Sequence, residues 1–262
     1  MKVIILAGGY GTRLGNITGE IPKPMVRIGD KPILWHIMKI YSHYNLNDFI
    51  ICLGYKQEII KNYFHNYDVH ASDFTIHLST KKIEQHNMHD EARWKVSLID
   101  TGLDSLKGDR VKQIEKYLDD DINLMTYGDG VIDVDINELI QFHKSHGKIL
   151  TITGVRPPSR FGEITEKDGV VTSFKEKPQF SSGLINGGFF VFDKRLFKYL
   201  EETPTDIQFG DLEFGTFQKL ADMGEIRVFK HHGNWECVDT ERDLKHLNKL
   251  WANKESFWKK WK

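Results

Sequence analysis

The sequence contains only two cysteines, Cys52 and Cys237, in 262 residues. Two cysteines so far apart cannot supply a disulfide framework or a zinc site built on cysteine. An excess of either charge is also missing, because 36 Lys and Arg against 37 Asp and Glu leave a net charge of −1. Proteins built to bind nucleic acid carry a basic excess, so we expect no nucleic acid as a partner.

Long hydrophobic runs are absent as well. The first apolar run, residues 3–7, ends at Gly8-Gly9, which is too short for the hydrophobic segment of a signal peptide. No stretch approaches the roughly 18 apolar residues that a membrane-spanning helix needs. We therefore expect a cytoplasmic protein with no membrane span. The length and a hydrophobic fraction of 40 % predict a single domain over residues 1–262 with a sizeable core.

Short apolar runs alternate with helical patterns along the chain. The runs predict strands at 3–6, 48–53, 122–127 and 149–155, and apolar stripes predict helices at 32–44, 57–64, 112–118 and 137–145. This alternation predicts a three-layer α/β/α, Rossmann-like fold with a mixed, mostly parallel sheet and ligands at the carboxyl ends of its strands. In the second half, strand signals flank Lys167-Asp168-Gly169, which predicts a small antiparallel β insert.

The first predicted strand runs directly into the glycine-rich segment Leu6-Ala7-Gly8-Gly9-Tyr10-Gly11-Thr12-Arg13-Leu14. Glycines let backbone N–H groups approach a phosphate, and an arginine can clamp phosphate oxygens. A plain turn at a strand end is the alternative. Leu14 stands where a dinucleotide fingerprint beginning at Gly9 needs its third glycine, and no Gly-Lys-Ser/Thr of a P-loop is present. A nicotinamide-dependent oxidoreductase is therefore a poor fit.

Three further polar residues stand where a phosphate or metal site needs them. Lys23 lies between Pro22 and Pro24, which keep the backbone extended and aim the ammonium group. Asp129 follows a predicted strand between two glycines, and Asp239 ends another strand. Two carboxylates at strand ends can share one Mg²⁺. Each aspartate alone also fits a turn or helix cap, and a helix is predicted to start directly after Asp239.

Together these segments resemble the signature of sugar-1-phosphate nucleotidyltransferases, which joins the glycine-rich segment to Pro22-Lys23-Pro24-Met25. The resemblance covers nearly the whole chain, and it continues in order through 126–131, Arg160-Phe161-Gly162, Glu176-Lys177-Pro178, 185–191 and 239–243. It implies transfer of a nucleotidyl group from a nucleoside triphosphate to a sugar 1-phosphate. Within the family, the longer stretches 31–38 and 48–56 are similar to members that use CTP and glucose 1-phosphate.

The resemblance also implies a role for each site residue. Arg13, Lys23 and Asp129 would be catalytic, and Asp129 and Asp239 would bind Mg²⁺. Nucleotide binding is expected of Leu6, Ala7, Gly8, Gly9, Gly11, Thr12, Arg13, Lys23, Arg110, Gly128 and Asp129. Binding of the sugar phosphate is expected of Tyr127, Gly162, Glu176, Lys177, Asn186 and Gly187, with insert elements for the sugar at roughly 155–240. Two segments, 107–110 and 209–214, depart from the pattern expected of the family.

Several alternatives remain open at this point. The nucleotide could be UTP or dTTP, and the acceptor could be another phosphorylated sugar or polyol. A catalytically silent subunit that only binds nucleotide sugars would be free to lose Arg13, Lys23, Asp129 or Asp239, and all four are present. The aromatic and basic tail Phe257-Trp258-Lys259-Lys260-Trp261 is expected to pack on its own subunit or on a neighbour, and we expect a homo-oligomer.

Overall fold

The computed structural model describes residues 1–87, 89–156, 163–175, 183–200 and 211–261. Its strands are β1 (Val3–Leu6), β2 (Arg27–Ile28), β3 (Lys31–Pro32), β4 (Asp48–Leu53), β5 (Phe74–His77), β6 (Lys82–Gln85), β7 (Lys95–Asp100), β8 (Ile122–Tyr127), β9 (Gly130–Ile132), β10 (Leu150–Val155), β11 (Glu163–Lys167), β12 (Val170–Lys175), β13 (Ile185–Asp193), β14 (Ile226–Lys230) and β15 (Trp235–Cys237). Its α-helices are α1 (Asn16–Glu20), α2 (Ile33–His43), α3 (Gln57–His65), α4 (Tyr67–Ala71), α5 (Lys107–Gln113), α6 (Ile136–His146), α7 (Gln218–Asp222) and α8 (Glu241–Ala252). Shorter 3₁₀ turns include Thr12–Leu14 and Lys23–Met25, and a π-helical turn spans Leu212–Phe217.

The main sheet has seven strands in the order β14-β10-β13-β8-β1-β4-β7. Within the described residues, its neighbouring strands are parallel except for the two pairs that β13 makes with β8 and β10. Two-stranded antiparallel sheets formed by β11–β12 and by β9–β15 accompany it in the second half of the chain. The predicted fold class, a mixed and mostly parallel sheet with a small antiparallel insert, is confirmed.

Alternate residues of the central strands enter two separate cores. Val3 and Ile5 pack with α2 and α6 on one face, whereas Ile4 and Leu6 pack with α5 and with apolar residues of 196–200 and 212–220 on the other. Because side chains alternate across a strand, a continuous apolar run is buried on both faces and helices cover both sides. The sheet is therefore the middle of three layers, and its strand ends form an edge open to ligands.

Two departures from the sequence prediction concern a helix beside the site and a strand of the main sheet. The helix predicted over 112–118 begins at Lys107 and ends at Gln113, and a 3₁₀ turn follows it at Glu115–Tyr117. Strand β7, at the edge of the sheet, was not predicted, since Lys95–Asp100 is only half-buried and lacks a continuous apolar run. Within the part of the chain that the structure describes, no helix is both long enough and apolar enough to cross a membrane.

The aromatic tail packs on its own subunit. Trp258 is fully buried, and its indole N–H donates to Nδ1 of His36 over 3.3 Å. His36 donates from Nε2 to the carbonyl of Ile28 over 2.9 Å, and Trp251 lies edge-on to its ring. Both ring nitrogens of His36 are therefore engaged in its neutral form. Since the tail is accounted for within one chain, it gives no argument for a subunit contact, and the homo-oligomer stays a prediction.

Acid is expected to destabilise the protein through His36. Burial lowers the pKa of His36 from its ordinary 6.5 to about 4. The unfolded chain then holds the proton more tightly, so stability is complete above pH 6.5 and falls as the pH drops toward 4, by about 3 kcal/mol in total. In urea unfolding series at pH 7 and pH 4.5, His36→Gln should show a smaller loss than wild type. The exposed His86→Gln is the control, and equal losses in all three proteins would contradict the assignment.

Candidate functional site

A cavity of about 640 Å³ opens at the edge where the parallel strands end. Leu6 and Tyr127, the last residues of β1 and β8, lie side by side in the sheet and both line it. Other residues expected at the site from the sequence also line this cavity: Ala7, Gly8, Gly9, Gly11, Thr12, Arg13, Lys23, Arg110, Gly128, Asp129, Asn186 and Asp239. Gly162, Glu176 and Lys177 lie outside the described residues.

The glycine-rich segment forms one wall of the cavity. Gly11 has a φ of 65°, a left-handed conformation that suits glycine, and it introduces the 3₁₀ turn Thr12–Leu14. A Cβ atom on Gly8 would lie 2.2 Å from a terminal nitrogen of Arg110, so only glycine fits there. Gly8, Gly9 and Gly11 thus bring backbone without side chains to the cavity, as a phosphate-binding turn requires.

Four charged side chains from distant parts of the sequence meet in this cavity. Lys23 Nζ lies 2.6 Å from Asp129 Oδ2 and 2.6 Å from Asp239 Oδ1. Arg13 Nη1 lies 3.0 Å from Asp239 Oδ2, and the Arg13 side chain is 77 % exposed. The structure therefore brings together the four residues that the sequence singled out, with the ammonium group between the two carboxylates and the guanidinium at the mouth.

The local backbone explains why these groups converge. Lys23 opens a 3₁₀ turn directly after the extended Pro22. Asp129 follows β8, and its carbonyl accepts a hydrogen bond of 2.9 Å from Val238 N, which ties the two acidic segments together. Thr240, and not Asp239, caps α8, because its hydroxyl accepts from Asp243 N. The carboxylate of Asp239 thus points to Lys23 and Arg13, and the helix-cap alternative is excluded for its side chain.

The electrostatics of the cavity keep Lys23 charged. Burial alone would lower the pKa of its ammonium group, but the carboxylates of Asp129 and Asp239 outweigh burial and raise that pKa above its ordinary value. Cys237 also lines the cavity, and burial, together with the nearby Asp239, raises the pKa of its thiol to about 12. The thiol therefore stays protonated at neutral pH and is a poor nucleophile.

The two aspartates have the chemistry of a magnesium site. Mg²⁺ takes oxygen ligands, and proteins commonly supply it with one or two carboxylates while substrate phosphates and water complete the shell. Among the described residues no group of three or more His, Cys, Asp or Glu could hold a metal, so a metal here would need such phosphate and water ligands. The Lys23 ammonium between Asp129 and Asp239 marks a position that attracts cations, and the pair fits this metal.

Arg110 has a structural role that the sequence did not reveal. Its side chain is almost completely buried, and its two terminal nitrogens donate over 2.7–3.1 Å to the carbonyls of Leu53, Gly102, Gly8 and Leu103 and to the hydroxyl of Thr101. Two terminal nitrogens carry four hydrogens, and these acceptors occupy them. Arg110 therefore holds the glycine-rich turn against the loop at 101–106, and direct binding of nucleotide by its guanidinium stays a prediction.

The cavity is also lined by Tyr127 and Asn186, which the sequence analysis assigned to the sugar, and by residues that it missed, whereas Gly187 is absent from the lining. Asn186 Nδ2 lies 3.4 Å from the hydroxyl of Tyr127, and Trp235 donates over 2.7 Å to the carbonyl of Gly187. Trp235, Lys107 and Asp211 also line the cavity. Trp235 could have been found, because positions 235, 237 and 239 alternate onto one face of the same extended segment.

Comparisons with known proteins identify the family of this chain. The family model described as nucleotidyl transferase matches residues 2–253. Glucose-1-phosphate cytidylyltransferase of Salmonella typhimurium is 47 % identical over 262 residues, which cover all of both chains. Probable glucose-1-phosphate cytidylyltransferase of Bacillus subtilis is 41 % identical over 261 residues, again with complete coverage.

The fold is also similar to solved structures. A putative glucose-1-phosphate thymidylyltransferase from Bacillus anthracis superimposes with a TM-score of 0.69 at 18 % identity, covering 95 % of this chain and 94 % of that one. At this identity the likeness supports the fold only. The match of the family model over most of the sequence and the full-length relatives go further, and they confirm the resemblance seen in the sequence. The chain belongs to the nucleotidyl transferase family.

Proposed function

We propose that this protein transfers a cytidylyl group from CTP to α-D-glucose 1-phosphate and releases CDP-glucose and pyrophosphate. The observation that carries the proposal is the meeting of Lys23 with Asp129 and Asp239 beside the glycine-rich turn, in one cavity. The choice of substrates is supported by the full-length relatives named as glucose-1-phosphate cytidylyltransferases. Residues 1–262 would act as one catalytic domain, with elements at roughly 155–240 contributing to the sugar side.

The reaction needs positioning and charge neutralisation more than it needs a nucleophilic side chain. A phosphate oxygen of the acceptor attacks the α-phosphorus of CTP, a new P–O bond forms, and the bond to the β-phosphate breaks as pyrophosphate leaves. The second pKa of a phosphate monoester is about 6, so the acceptor is largely dianionic at neutral pH and requires no strong general base. The obstacle is the repulsion between two polyanions, which fixed cations can offset.

Each charged residue of the cavity has a role in this scheme. Lys23, held charged between two carboxylates, would offset negative charge on the triphosphate. Arg13, exposed at the mouth, and the backbone of Gly8–Gly11 would bind the departing pyrophosphate. Asp129 and Asp239 would hold Mg²⁺, which when bound supplies positive charge to the reacting phosphates.

The remaining residues would bind the base and the sugar. Tyr127, Asn186 and Gly187 would contact the sugar, and Gly162, Glu176 and Lys177 keep the role predicted for them from the sequence, since they lie outside the described residues. The base would lie along the backbone of residues 6–9 and the backbone of residues 107–110, whereas the Lys107 side chain contacts Glu213 and the ring of Tyr127. Cytosine presents an amino donor where uracil presents an acceptor, so backbone carbonyls in this region would favour CTP over UTP.

The proposal is tested by measuring pyrophosphate release over a matrix of nucleoside triphosphates and sugar 1-phosphates. We expect release with CTP and glucose 1-phosphate, with UTP and dTTP at least about tenfold slower if one base hydrogen bond is lost. Faster release with UTP or dTTP would move the assignment to that nucleotide. No release with any pair, but binding of CDP-glucose, would favour the catalytically silent subunit, which the presence of all four charged residues in one cavity argues against.

A further inference from the structure

A network of charged and polar side chains surrounds the hydroxyl of Tyr127 beside the cavity. Lys107 Nζ lies 2.6 Å from Glu213 Oε1 and 3.4 Å from Asp211 Oδ1. Glu213 Oε1 also accepts a hydrogen bond from the hydroxyl of Tyr127. Lys107 begins α5, Tyr127 ends β8, and Glu213 lies in the first turn of the π-helical segment. One carboxylate therefore joins three elements that are far apart in the sequence.

Tyr127 is held by contacts on several sides while it still lines the cavity. Its ring lies against the backbone of Gly188, where a Cβ atom would be 2.6 Å from the ring carbon Cδ2, and edge-on to Phe190 with 5.4 Å between ring centroids. The ammonium of Lys107 lies 5.4 Å from the ring centroid, within reach of a cation–π contact. Rotation of the ring is thus blocked, and the hydroxyl is fixed by Glu213 and Asn186.

The charge on Glu213 is stabilised by the same contacts. Burial opposes that charge, but the hydrogen bonds from Lys107 and then Tyr127 outweigh burial and hold the pKa of Glu213 below its ordinary value. Burial, followed by the charge of Glu213, raises the pKa of Asp211. Lys107 and Tyr127 both donate to Oε1 of this carboxylate. The carboxylate holds both side chains in place, because either one would lose a charge-assisted hydrogen bond if it moved.

We propose that Glu213 is the positioning residue for the sugar side of the cavity, where it holds Lys107 and Tyr127 in the orientation that receives the acceptor. This inference rests on the proposed function, which assigns Tyr127 and Asn186 to the sugar phosphate. Glu213 itself is absent from the cavity lining, whereas Lys107, Tyr127, Asn186 and Asp211 belong to it. Glu213 therefore acts through its partners, and its loss should weaken binding of the acceptor while binding of CTP persists.

The test compares the two Michaelis constants in Glu213→Gln, Lys107→Met and the double variant. Glutamine keeps the size of the side chain and can still accept from Tyr127, but it no longer carries the charge that holds Lys107. We expect each single variant to raise KM for glucose 1-phosphate by about tenfold, the equivalent of one charge-assisted hydrogen bond, and to leave KM for CTP within about twofold. The double variant should match the singles, since both remove the same contact.

The ion pair between Lys148 and Glu225 is the matched control. Lys148 Nζ lies 2.9 Å from Glu225 Oε1, and the two side chains are about as exposed as those of Lys107 and Glu213. This pair lies just before β10 and β14, at the end of these strands that is away from the cavity. Glu225→Gln should leave both constants unchanged. Equal increases in both Michaelis constants in Glu213→Gln, or a loss of turnover that tracks a lowered melting temperature, would overturn the positioning role.

Kinetics of the wild type and of the variants distinguish a wrong function from a wrong role for Glu213. Wild-type protein that does not turn over CTP and glucose 1-phosphate would overturn the proposed function and, with it, this inference. Active wild type whose acceptor constant is unchanged in both single variants would overturn the inference alone. A double variant whose effect equals the product of the single effects would also contradict it, because independent contacts multiply.

Discussion

Replacing Lys23 by methionine is expected to lower kcat/KM for CTP by at least about a hundredfold, the usual result of removing a fixed charge-stabilising donor. Methionine keeps most of the apolar stem, which packs beside Gly11, so the fold should persist. The ammonium group lies 2.6 Å from a carboxylate oxygen of each of two aspartates. Without it, two negative charges face an incoming triphosphate, and Arg13 at the mouth contacts just one of them, Asp239. Pyrophosphate release at saturating acceptor measures the loss.

Lys39 offers a matched control for this experiment. It is also a buried lysine that contacts two carboxylates, Glu91 at 2.9 Å and Asp90 at 3.6 Å, but it lies outside the cavity lining. Lys39→Met should therefore lower the free energy of unfolding and leave turnover intact. Turnover close to wild type in Lys23→Met would remove Lys23 from the mechanism.

Replacing Arg110 by methionine is expected to lower the free energy of unfolding by about 3 kcal/mol or more, because several carbonyl groups lose a buried charged donor at once. The same change should raise KM for CTP, since Arg110 ties Gly8 to the loop at 101–106. Urea unfolding measures the first effect, and initial rates over a range of CTP concentrations measure the second.

Arg195 is the control for the change at Arg110. It is half-exposed and donates to Asp193 and to the carbonyl of Gly147, outside the cavity. Arg195→Met should cost no more than about 0.5 kcal/mol, the usual range for a surface substitution. Similar losses of stability in the two variants would show that the buried carbonyl network contributes little. An unchanged KM for CTP in Arg110→Met would show that the glycine-rich turn holds its shape without this residue.

The sequence predicted those parts of the fold that depend on local patterns. Continuous apolar runs such as Val3–Leu6 and Asp48–Leu53 became central strands, because a strand buried on both faces must be apolar throughout. The edge strand Lys95–Asp100 gave no such signal, since its residues are only half-buried and polar residues interrupt its apolar ones. The helix predicted to begin at residue 112 begins at Lys107 instead.

The contacts between distant residues could be predicted only where motifs pointed to a shared ligand. Arg13, Lys23, Asp129 and Asp239 were grouped because a phosphate and a metal would need them together, and the structure brings them together. The carbonyl groups around Arg110 could not be predicted, because no expected ligand requires them. Segments 107–110 and 209–214 both depart from the family pattern in the sequence. The ion pair between Lys107 and Glu213 is seen only in the structure.

The reversed direction of β13 has a consequence for how such a protein can change its substrate. Because β13 runs against β8 and β10, its first residues arrive at the same edge where the other strands finish. One half of the cavity is thus made by segments before position 130, and the other half by segments that enter much later. Under the proposed function, substitutions in the first residues of β13 would alter the choice of acceptor while Arg13, Lys23 and Asp129, which come from the earlier segments, stay in place.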